Sequence, residues 1–131
     1  MSSPMIPSPQ SPSDEADVEA IVHDYADGWY AGDVSRMDRA LHSELVKRTP
    51  GDLSAAGEDA LRSVTKARMI ELTTEGGGDS ADPTVEVVVD EVSANIASAR
   101  VLTPEYLDYL HLVKTPVGWK IVNILFRVRS S

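Results

Sequence analysis

The spacing of apolar residues changes once along the chain, near Pro83, and this change limits the folds that are possible. Before Pro83, apolar side chains recur every three or four positions, as they do on one face of a helix. After Pro83, four runs rich in Val, Ile and Leu are typical of strands, and the connections between them are short. Because short connections join antiparallel neighbours, helices followed by such strands predict an α+β domain.

The first half of the chain predicts three helices. The first begins near Asp14 and ends at Gly32, which can adopt the left-handed conformation of a C-terminal cap. Asp33 then caps a shorter second helix, and a short strand is predicted from Leu45 to Arg48. A loop follows, and a third helix is predicted from about Glu58 to Thr73, where a run of three glycines ends it.

The second half predicts an antiparallel meander whose two faces can be separated, because side chains alternate between faces along a strand. The predicted strands are Val85–Val92, Asn95–Leu102, Glu105–Val113 and Trp119–Val128. A four-residue hairpin loop after Lys114 places Leu110 opposite Asn123. One face then carries Tyr106, Asp108, Leu110 and Leu112 with Ile121, Asn123, Leu125 and Arg127. The other carries Leu107, Tyr109, His111 and Val113 with Val122, Ile124, Phe126 and Val128.

Small residues indicate which of these faces borders a cavity. A two-residue turn at Thr103-Pro104 adds the alanines of the preceding strand to the first face and sets Ala97 and Ala99 opposite Leu110 and Asp108. Small side chains beside leucines leave space, and Asn123 adds a polar group. The first face therefore predicts a mainly apolar pocket for a small apolar or aromatic molecule.

Composition restricts the class of protein. The 131 residues carry a formal net charge of −9, which disfavours nucleic acid and anionic membrane surfaces as partners. No residue is cysteine, and the three histidines fit no metal-ligand spacing, so neither a metal nor a cofactor is predicted. Residues 1–13, rich in Pro and Ser, predict a disordered tail before a domain at 14–131. No secretory signal is recognised, so a cytoplasmic protein is expected.

Asp108 is the sharpest candidate for chemistry. A carboxylate among leucines loses solvation, and its pKa then rises toward the range of a general acid or base. The alternative is a structural role, in which Asp108 pairs with Arg127 or lies at an exposed edge. Trp29 continues the apolar stripe of the first helix, which favours core packing, although its indole N–H could also face the cavity.

Two segments resemble a known superfamily. They are YADGWYAGDVSRMDRALHSELVKR at residues 25–48 and YLDYLHLVKTPVGWKIVN at residues 106–123. Both resemble nuclear-transport-factor-2-like proteins, which include the SnoaL-like enzymes, and within that superfamily the group named putative lumazine-binding. The resemblance implies a cone-shaped, cystatin-like fold in which helices pack on a curved antiparallel sheet. It also implies a homodimer through the sheet and places His42 near the mouth of the cone.

Three functions remain open from the sequence. The first is a homodimeric small-molecule-binding protein whose pocket includes Trp29, His42, Ala97, Ala99, Asp108, Leu110 and Asn123. The second is a SnoaL-like, cofactor-independent isomerase, cyclase or dehydratase that uses Asp108 as general acid or base, aided by His42 or Asn123. The third is a purely structural dimerisation module, because the second sheet face is too apolar to remain exposed.

Overall fold

The structure, a computed structural model, describes residues 12–50, 61–78 and 83–129, which form three helices and six strands. In chain order these are α1 (Pro12–Ala31), α2 (Val34–Ala40), β1 (Leu41–Pro50), β2 (Leu61–Thr65), α3 (Lys66–Thr74), β3 (Glu86–Ser93), β4 (Ile96–Leu102), β5 (Tyr106–Thr115) and β6 (Gly118–Val128). The strands form one sheet in the order β2-β1-β6-β5-β4-β3. Neighbouring strands are antiparallel except β1 and β6, which are parallel. The predicted α+β architecture is confirmed.

Capping residues set the end of α1 and the start of α2, as the sequence predicts. Gly32 follows α1 with a φ of +66°, a conformation that glycine adopts without steric cost. The side chain of Asp33 accepts a hydrogen bond from the backbone N–H of Arg36 at 3.2 Å and so caps α2. Helix α1 begins at Pro12, two residues before the predicted start, and the preceding residues of the predicted tail lie outside the described part of the chain.

The predicted third helix is wrong over its first part. Residues 61–65 form strand β2, which pairs antiparallel with β1. The hydroxyl of Thr65 accepts a hydrogen bond from the N–H of Arg68 at 3.2 Å, so the helix α3 starts only after this cap. Leu61 and Val64, three residues apart, share a face only in a helix, and in β2 they point to opposite faces, with Leu61 exposed and Val64 toward the pocket. Pairing with β1 decides in favour of the strand. Residues 58–60 lie outside the described residues, as does most of the loop predicted from Thr49.

The turn between β4 and β5 is longer than predicted, but the faces are correct. Leu102 pairs with Leu107, so four residues, not two, lie between the last paired positions of the two strands. The Oγ1 of Thr103 accepts a hydrogen bond from the N–H of Tyr106 at 3.0 Å and holds this longer turn. Ala97 and Ala99 therefore lie opposite Leu112 and Leu110, a shift of two residues from the prediction. A shift of two preserves the face, because the side-chain period of a strand is two.

A β-bulge in β6 overturns the predicted faces of that strand. Lys114 pairs with Trp119 as expected, but the register shifts so that His111, not Leu110, lies opposite Asn123. Val122 is the additional residue, and an added residue reverses the faces of everything after it. Three residues predicted for the first, pocket-lining face lie instead on the outer face of the sheet: Asn123, Leu125 and Arg127. Two residues predicted for the second face point inward instead: Ile124 and Phe126.

The core lies between the inner face of the sheet and the helices. Its fully buried side chains include Val18, Val22, Met37, Met69, Leu110, Leu112, Ile121 and Ile124. Helix α1 crosses the sheet, while α2 and α3 pack beside it and close one side. Within the described residues, no helix is long and apolar enough to cross a membrane.

Candidate functional site

A pocket of about 180 Å³ lies between helix α1 and the inner face of the sheet. Its lining comes from α1, α3, the turn before β5 and every strand except β3: Tyr25, Ala26, Trp29, Tyr30, Lys47, Val64, Met69, Leu72, Val101, Thr103, Tyr106, Asp108 and Phe126. The side chains at the base are buried, whereas those at the rim are half-buried. The pocket therefore opens to solvent at one end and has a buried floor.

Three polar side chains form a hydrogen-bonded chain at the floor of the pocket. The ammonium of Lys47 donates to the hydroxyl oxygen of Tyr25 at 2.7 Å. The same hydroxyl donates to the Oδ2 atom of Asp108 at 2.5 Å. Tyr25 thus lies between a cation and an anion and bonds to both. The three residues come from α1, β1 and β5, so only the folded chain brings them together.

Burial has the largest effect on the pKa of each of these three side chains. Desolvation raises the pKa of Asp108, while the charge of Lys47 and the hydrogen bond from Tyr25 partly offset that rise. Desolvation lowers the pKa of Lys47, and the charge of Asp108 opposes it. The pKa of Tyr25 is raised well above its ordinary value by burial and by Asp108, so its hydroxyl stays protonated. The neutral hydroxyl of Tyr25 therefore lies between Lys47 and Asp108, whose opposite charges stabilise each other.

Aromatic rings surround the ammonium of Lys47. Its Nζ atom lies 4.5 Å from the ring centroid of Phe126, 5.1 Å from that of Tyr25 and 5.8 Å from that of Trp29. Each ring presents its negative face to a cation at such distances. These rings and Asp108 compensate for the loss of water around the ammonium group.

Two buried polar atoms of this pocket have no hydrogen-bond partner within the described residues. They are the Oδ1 atom of Asp108 and the Nε1 atom of Trp29. The first is an acceptor while the carboxyl group is ionised, and the second can only donate. Buried polar groups are nearly always paired, so each unpaired one needs an explanation, and a binding or catalytic role is one such explanation.

The glycine run after α3 lies against Trp29. A Cβ on Gly77 would lie 1.9 Å from the carbonyl oxygen of Trp29, and a Cβ on Gly78 would lie 2.8 Å from its Nε1 atom. Gly78 also donates its N–H to that carbonyl at 3.3 Å. The run that the sequence identifies as a helix stop therefore has a second effect, because it allows the backbone to contact the end of α1 and fix the indole.

Tyrosines form part of the rim. The hydroxyl of Tyr30 donates to the carboxylate of Glu105 at 2.9 Å, and burial together with Glu105 raises the pKa of Tyr30 to about 12. The rings of Tyr106 and Phe126 pack edge to face with centroids 5.9 Å apart. These contacts tie the end of α1 to the β4–β5 turn and hold flat aromatic surfaces at the entrance.

Two predicted site residues, Trp29 and Asp108, meet in this pocket. Asp108 is only 4% exposed and does not pair with Arg127, which lies on the outer face. Both parts of the structural alternative for Asp108 are therefore wrong, since it is neither at an exposed edge nor paired with that arginine. Its partners are instead Tyr25 and Lys47.

The other predicted site residues do not line the pocket. Ala97, Ala99 and Leu110 lie on the inner face as predicted, but they belong to the packed core beside it. Asn123 lies on the outer face beside His111, with 3.3 Å between Nδ2 and Nδ1. His42 lies at the start of β1 and lines a separate surface depression with Lys66 and Lys120. The bulge in β6 explains the misplacement of Asn123.

Sequence reasoning missed Lys47, Tyr25 and Phe126 as polar or aromatic parts of the site. Lys47 did carry a signal, because it follows Leu45 by two residues in a strand whose other buried positions are apolar. A lysine at such a position must find partners inside the protein. Tyr25 falls at helical spacing with Val18, Val22 and Trp29, and this spacing indicates core packing without assigning a role to its hydroxyl.

Comparison with known proteins is consistent with this architecture. Residues 13–127 match the family described as "Putative lumazine-binding". The chain belongs to that family. A search of curated proteins finds no match.

Solved structures of low sequence identity share the fold. An NTF-2-like protein of unknown function from Silicibacter pomeroyi is 20% identical with a TM-score of 0.74, over 92% of this chain and 100% of that one. An NTF2-like protein of unknown function from Shewanella baltica is 18% identical with a TM-score of 0.76, over 91% and 96%. A ketosteroid isomerase-like protein from Erwinia carotovora atroseptica is 18% identical with a TM-score of 0.67, over 92% and 100%. The predicted nuclear-transport-factor-2-like, cystatin-like fold is confirmed.

Proposed function

We propose that this protein binds a small aromatic molecule in the pocket beneath α1. The observation that carries the proposal is the presence of two unpaired buried polar atoms, on Asp108 and Trp29, in an otherwise aromatic and aliphatic pocket. Apolar walls with a few fixed polar groups are the usual chemistry of small-molecule sites. The family description, which names lumazine, supports a ligand of this size and flatness.

The volume of the pocket restricts the ligand to about one or two rings. An engineered cavity of roughly 150 Å³ holds one benzene molecule, and this pocket, at about 180 Å³, is slightly larger and opens at its rim. A steroid or a dinucleotide exceeds this space without a rearrangement of the rim. The half-buried rim residues Tyr30, Tyr106 and Leu72 are the ones that such a rearrangement would move.

Thermal unfolding in the presence of a panel of flat compounds tests this function. The panel contains lumazine, 2-quinolone and naphthalene, and a binder raises the melting temperature in proportion to the logarithm of its concentration. Val64→Phe fills the pocket from β2 and is expected to abolish the shift. Val117→Phe, at an exposed turn, is the matched control and is expected to retain it. The absence of any shift with the whole panel contradicts the proposal.

A second candidate function is acid–base catalysis on the bound molecule. It is favoured by one observation, namely that the raised pKa of Asp108 accompanies a free Oδ1 atom in the pocket. A carboxylate so placed can remove a proton from a carbon next to a carbonyl group, and positioned bases contribute about 10²–10⁴-fold to such steps. Proton exchange of 2-tetralone in D₂O, followed by NMR, tests it. Exchange that is equally fast in wild type and Asp108→Asn excludes this role.

We also propose that the protein acts as a homodimer through the outer face of the sheet. Three large apolar side chains lie exposed on that face: Ile96, Tyr109 and Leu125, with exposed fractions of 58%, 50% and 46%. A twofold interface uses the same patch on both subunits, so one such patch is sufficient. A structural dimerisation module with no ligand shares this surface, and ligand binding distinguishes the two functions.

A further inference from the structure

The unpaired atoms of the pocket define what a ligand must offer. One oxygen of the Asp108 carboxylate, Oδ2, is occupied by the hydroxyl of Tyr25, which leaves Oδ1 as the acceptor. The Nε1 atom of Trp29 is a donor without an acceptor. An unpaired buried polar atom costs roughly 1–3 kcal/mol, more for a charged group. A ligand that supplies a donor and an acceptor removes both costs when it binds.

Burial raises the pKa of Asp108, and its two partners oppose that rise and so favour the acceptor form. Tyr25 donates to one oxygen, and the positive charge of Lys47 stabilises the carboxylate from the far side of that hydroxyl. Protonation at Oδ1 would leave the hydrogen bond from Tyr25 to Oδ2 intact but would turn Oδ1 into a donor, and the positive charge of Lys47 opposes that protonation. The free oxygen therefore presents a lone pair to the pocket and selects an N–H or O–H donor.

The same charges exclude ionised ligands. An anion would approach the Asp108 carboxylate directly, and a cation would approach the ammonium of Lys47, which lines the same small pocket. Neither charge could be hydrated at the buried floor, so each would bear a desolvation cost. Rings at the rim, including Tyr106 and Phe126, favour a flat and neutral molecule.

We infer that the ligand is a neutral heterocycle of one or two rings that carries an N–H group and a carbonyl group, as a lactam or cyclic imide does. Its N–H donates to the Oδ1 atom of Asp108, and its carbonyl oxygen accepts from the Nε1 atom of Trp29. This inference rests on the proposed function, since it names the chemical class that the pocket binds. It adds the donor and acceptor pattern, which volume and apolar walls do not specify.

The test compares four probes of similar size by calorimetry on the full chain. 2-Quinolone carries both groups, 1-methyl-2-quinolone lacks the N–H, and naphthalene lacks both. 6-Methyl-2-quinolone adds the same methyl group but keeps the N–H, so it separates lost hydrogen bonding from added bulk. Because hydrogen bonds to charged groups are the stronger ones, we expect 2-quinolone and its 6-methyl analogue to bind at least tenfold more tightly than the other two.

Variants assign each group of the ligand to its partner. Trp29→Phe removes the indole N–H and is expected to weaken 2-quinolone about tenfold while leaving naphthalene within threefold, since a neutral hydrogen bond is worth about 1 kcal/mol. Trp119→Phe removes another indole N–H, which bonds to Asp14 away from the pocket, and serves as the matched control. Asp108→Asn is expected to abolish the preference for 2-quinolone over its 1-methyl form. The wild-type comparison stands even where a variant fails to fold.

The outcomes separate this inference from the function on which it rests. Equal binding of naphthalene and 2-quinolone overturns the lactam inference and leaves small-molecule binding intact. Binding of none of the four probes overturns both. A preference for 2-quinolone that persists in both Trp29→Phe and Asp108→Asn also overturns the inference, because other groups would then recognise the ligand.

Discussion

At the scale of single residues, Lys47 and Asp108 stabilise each other inside the protein. Each is desolvated, and each opposes the pKa shift that burial imposes on the other. Removing one partner of a buried pair leaves an uncompensated charge, whereas replacing both with apolar residues is often neutral. The pair is therefore expected to be strongly coupled, with Tyr25 as the link between the two charges.

A double-mutant cycle measures this coupling. We expect Lys47→Met and Asp108→Leu each to lower the free energy of unfolding by about 3 kcal/mol. The double variant is expected to lose less than the sum, with a coupling of about 1–3 kcal/mol. Urea denaturation at pH 7 measures the free energy of unfolding of the wild type, the two single variants and the double variant. Arg48→Met, an exposed cation next to Lys47 on β1, is the control and is expected to change stability by less than about 0.5 kcal/mol.

The raised pKa of Asp108 makes a second prediction, on pH dependence. A carboxyl group whose pKa is higher in the folded than in the unfolded state contributes stability below the unfolded value of 3.8. That contribution is lost as the pH rises through the folded pKa. The unfolding free energy of wild type minus that of Asp108→Asn is therefore expected to fall as the pH rises above 3.8, as measured by denaturant titration. A difference that is constant, or that rises with pH, contradicts the assignment.

Asp24 is expected to show the opposite pH dependence. Burial alone would raise its pKa, but hydrogen bonds and charges from Arg39 and Arg36 hold it below 3.8. Its contribution is thus present above the unfolded value and is lost as the pH falls through the folded pKa. Asp24→Asn is expected to cost about 1 kcal/mol at pH 7, because both arginines are partly exposed. The loss should diminish as the pH falls below 3.8 in the same denaturant titration.

At the scale of elements, the bulge at Val122 decides which side chains of β6 reach the pocket. Two residues, Val122 and Asn123, lie opposite His111, and the extra residue restores an inward position to Ile124 and Phe126. If β6 paired with β5 without the bulge, simple alternation would place Asn123 and Leu125 inward and Phe126 outward. Phe126 would then not contact Lys47.

Deletion variants test the role of the bulge. Deleting Val122 removes the extra residue but leaves Ile121 inward and Asn123 outward, so the register is kept. Deleting Leu125 turns Phe126 outward and exposes an aromatic side chain. Because burying such a side chain contributes about 1.5–3 kcal/mol, we expect the Leu125 deletion to be at least about 2 kcal/mol less stable than the Val122 deletion. Thermal and urea unfolding compare them, and equal stability would contradict this account of the register.

At the scale of the whole molecule, the two sheet faces have different environments. The inner face carries the core and the pocket beneath α1, whereas the outer face is not covered by any described helix. Exposed Tyr109 and Leu125 lie on adjacent strands and pair in register. A second copy of the chain, placed by a twofold axis, would cover both.

The proposed dimer is tested by sedimentation at micromolar concentration. We expect the wild-type protein to sediment as a dimer and Leu125→Glu to shift it to a monomer, because the variant buries a charge at the interface. Val117→Glu introduces the same charge at an exposed turn away from this face and is expected to remain dimeric. A wild-type monomer would remove the dimer from the proposed function without affecting the pocket.

The sequence by itself determined the order of elements except for strand β2, both helix caps near Gly32 and Asp33, and the presence of Asp108 on an inward face. These features depend on local chemistry, namely capping, turn formation and the alternation of side chains along a strand. Even the wrong length of the β4–β5 turn left the faces correct, because the error was two residues. The resemblance of two segments to the family indicated the fold that the structure and the comparisons confirm.

Only the tertiary structure decided which residues form the site. Tyr25, Lys47 and Asp108 lie 22 and 83 positions apart in hydrogen-bonded pairs, and no local pattern records such contacts. The bulge at Val122 is a single-residue irregularity in pairing, and it moved Asn123 out of the site and Phe126 into it. Sequence periodicity fixes a face only while the register is regular, whereas packing against α1 and the neighbouring strands determines where the register breaks.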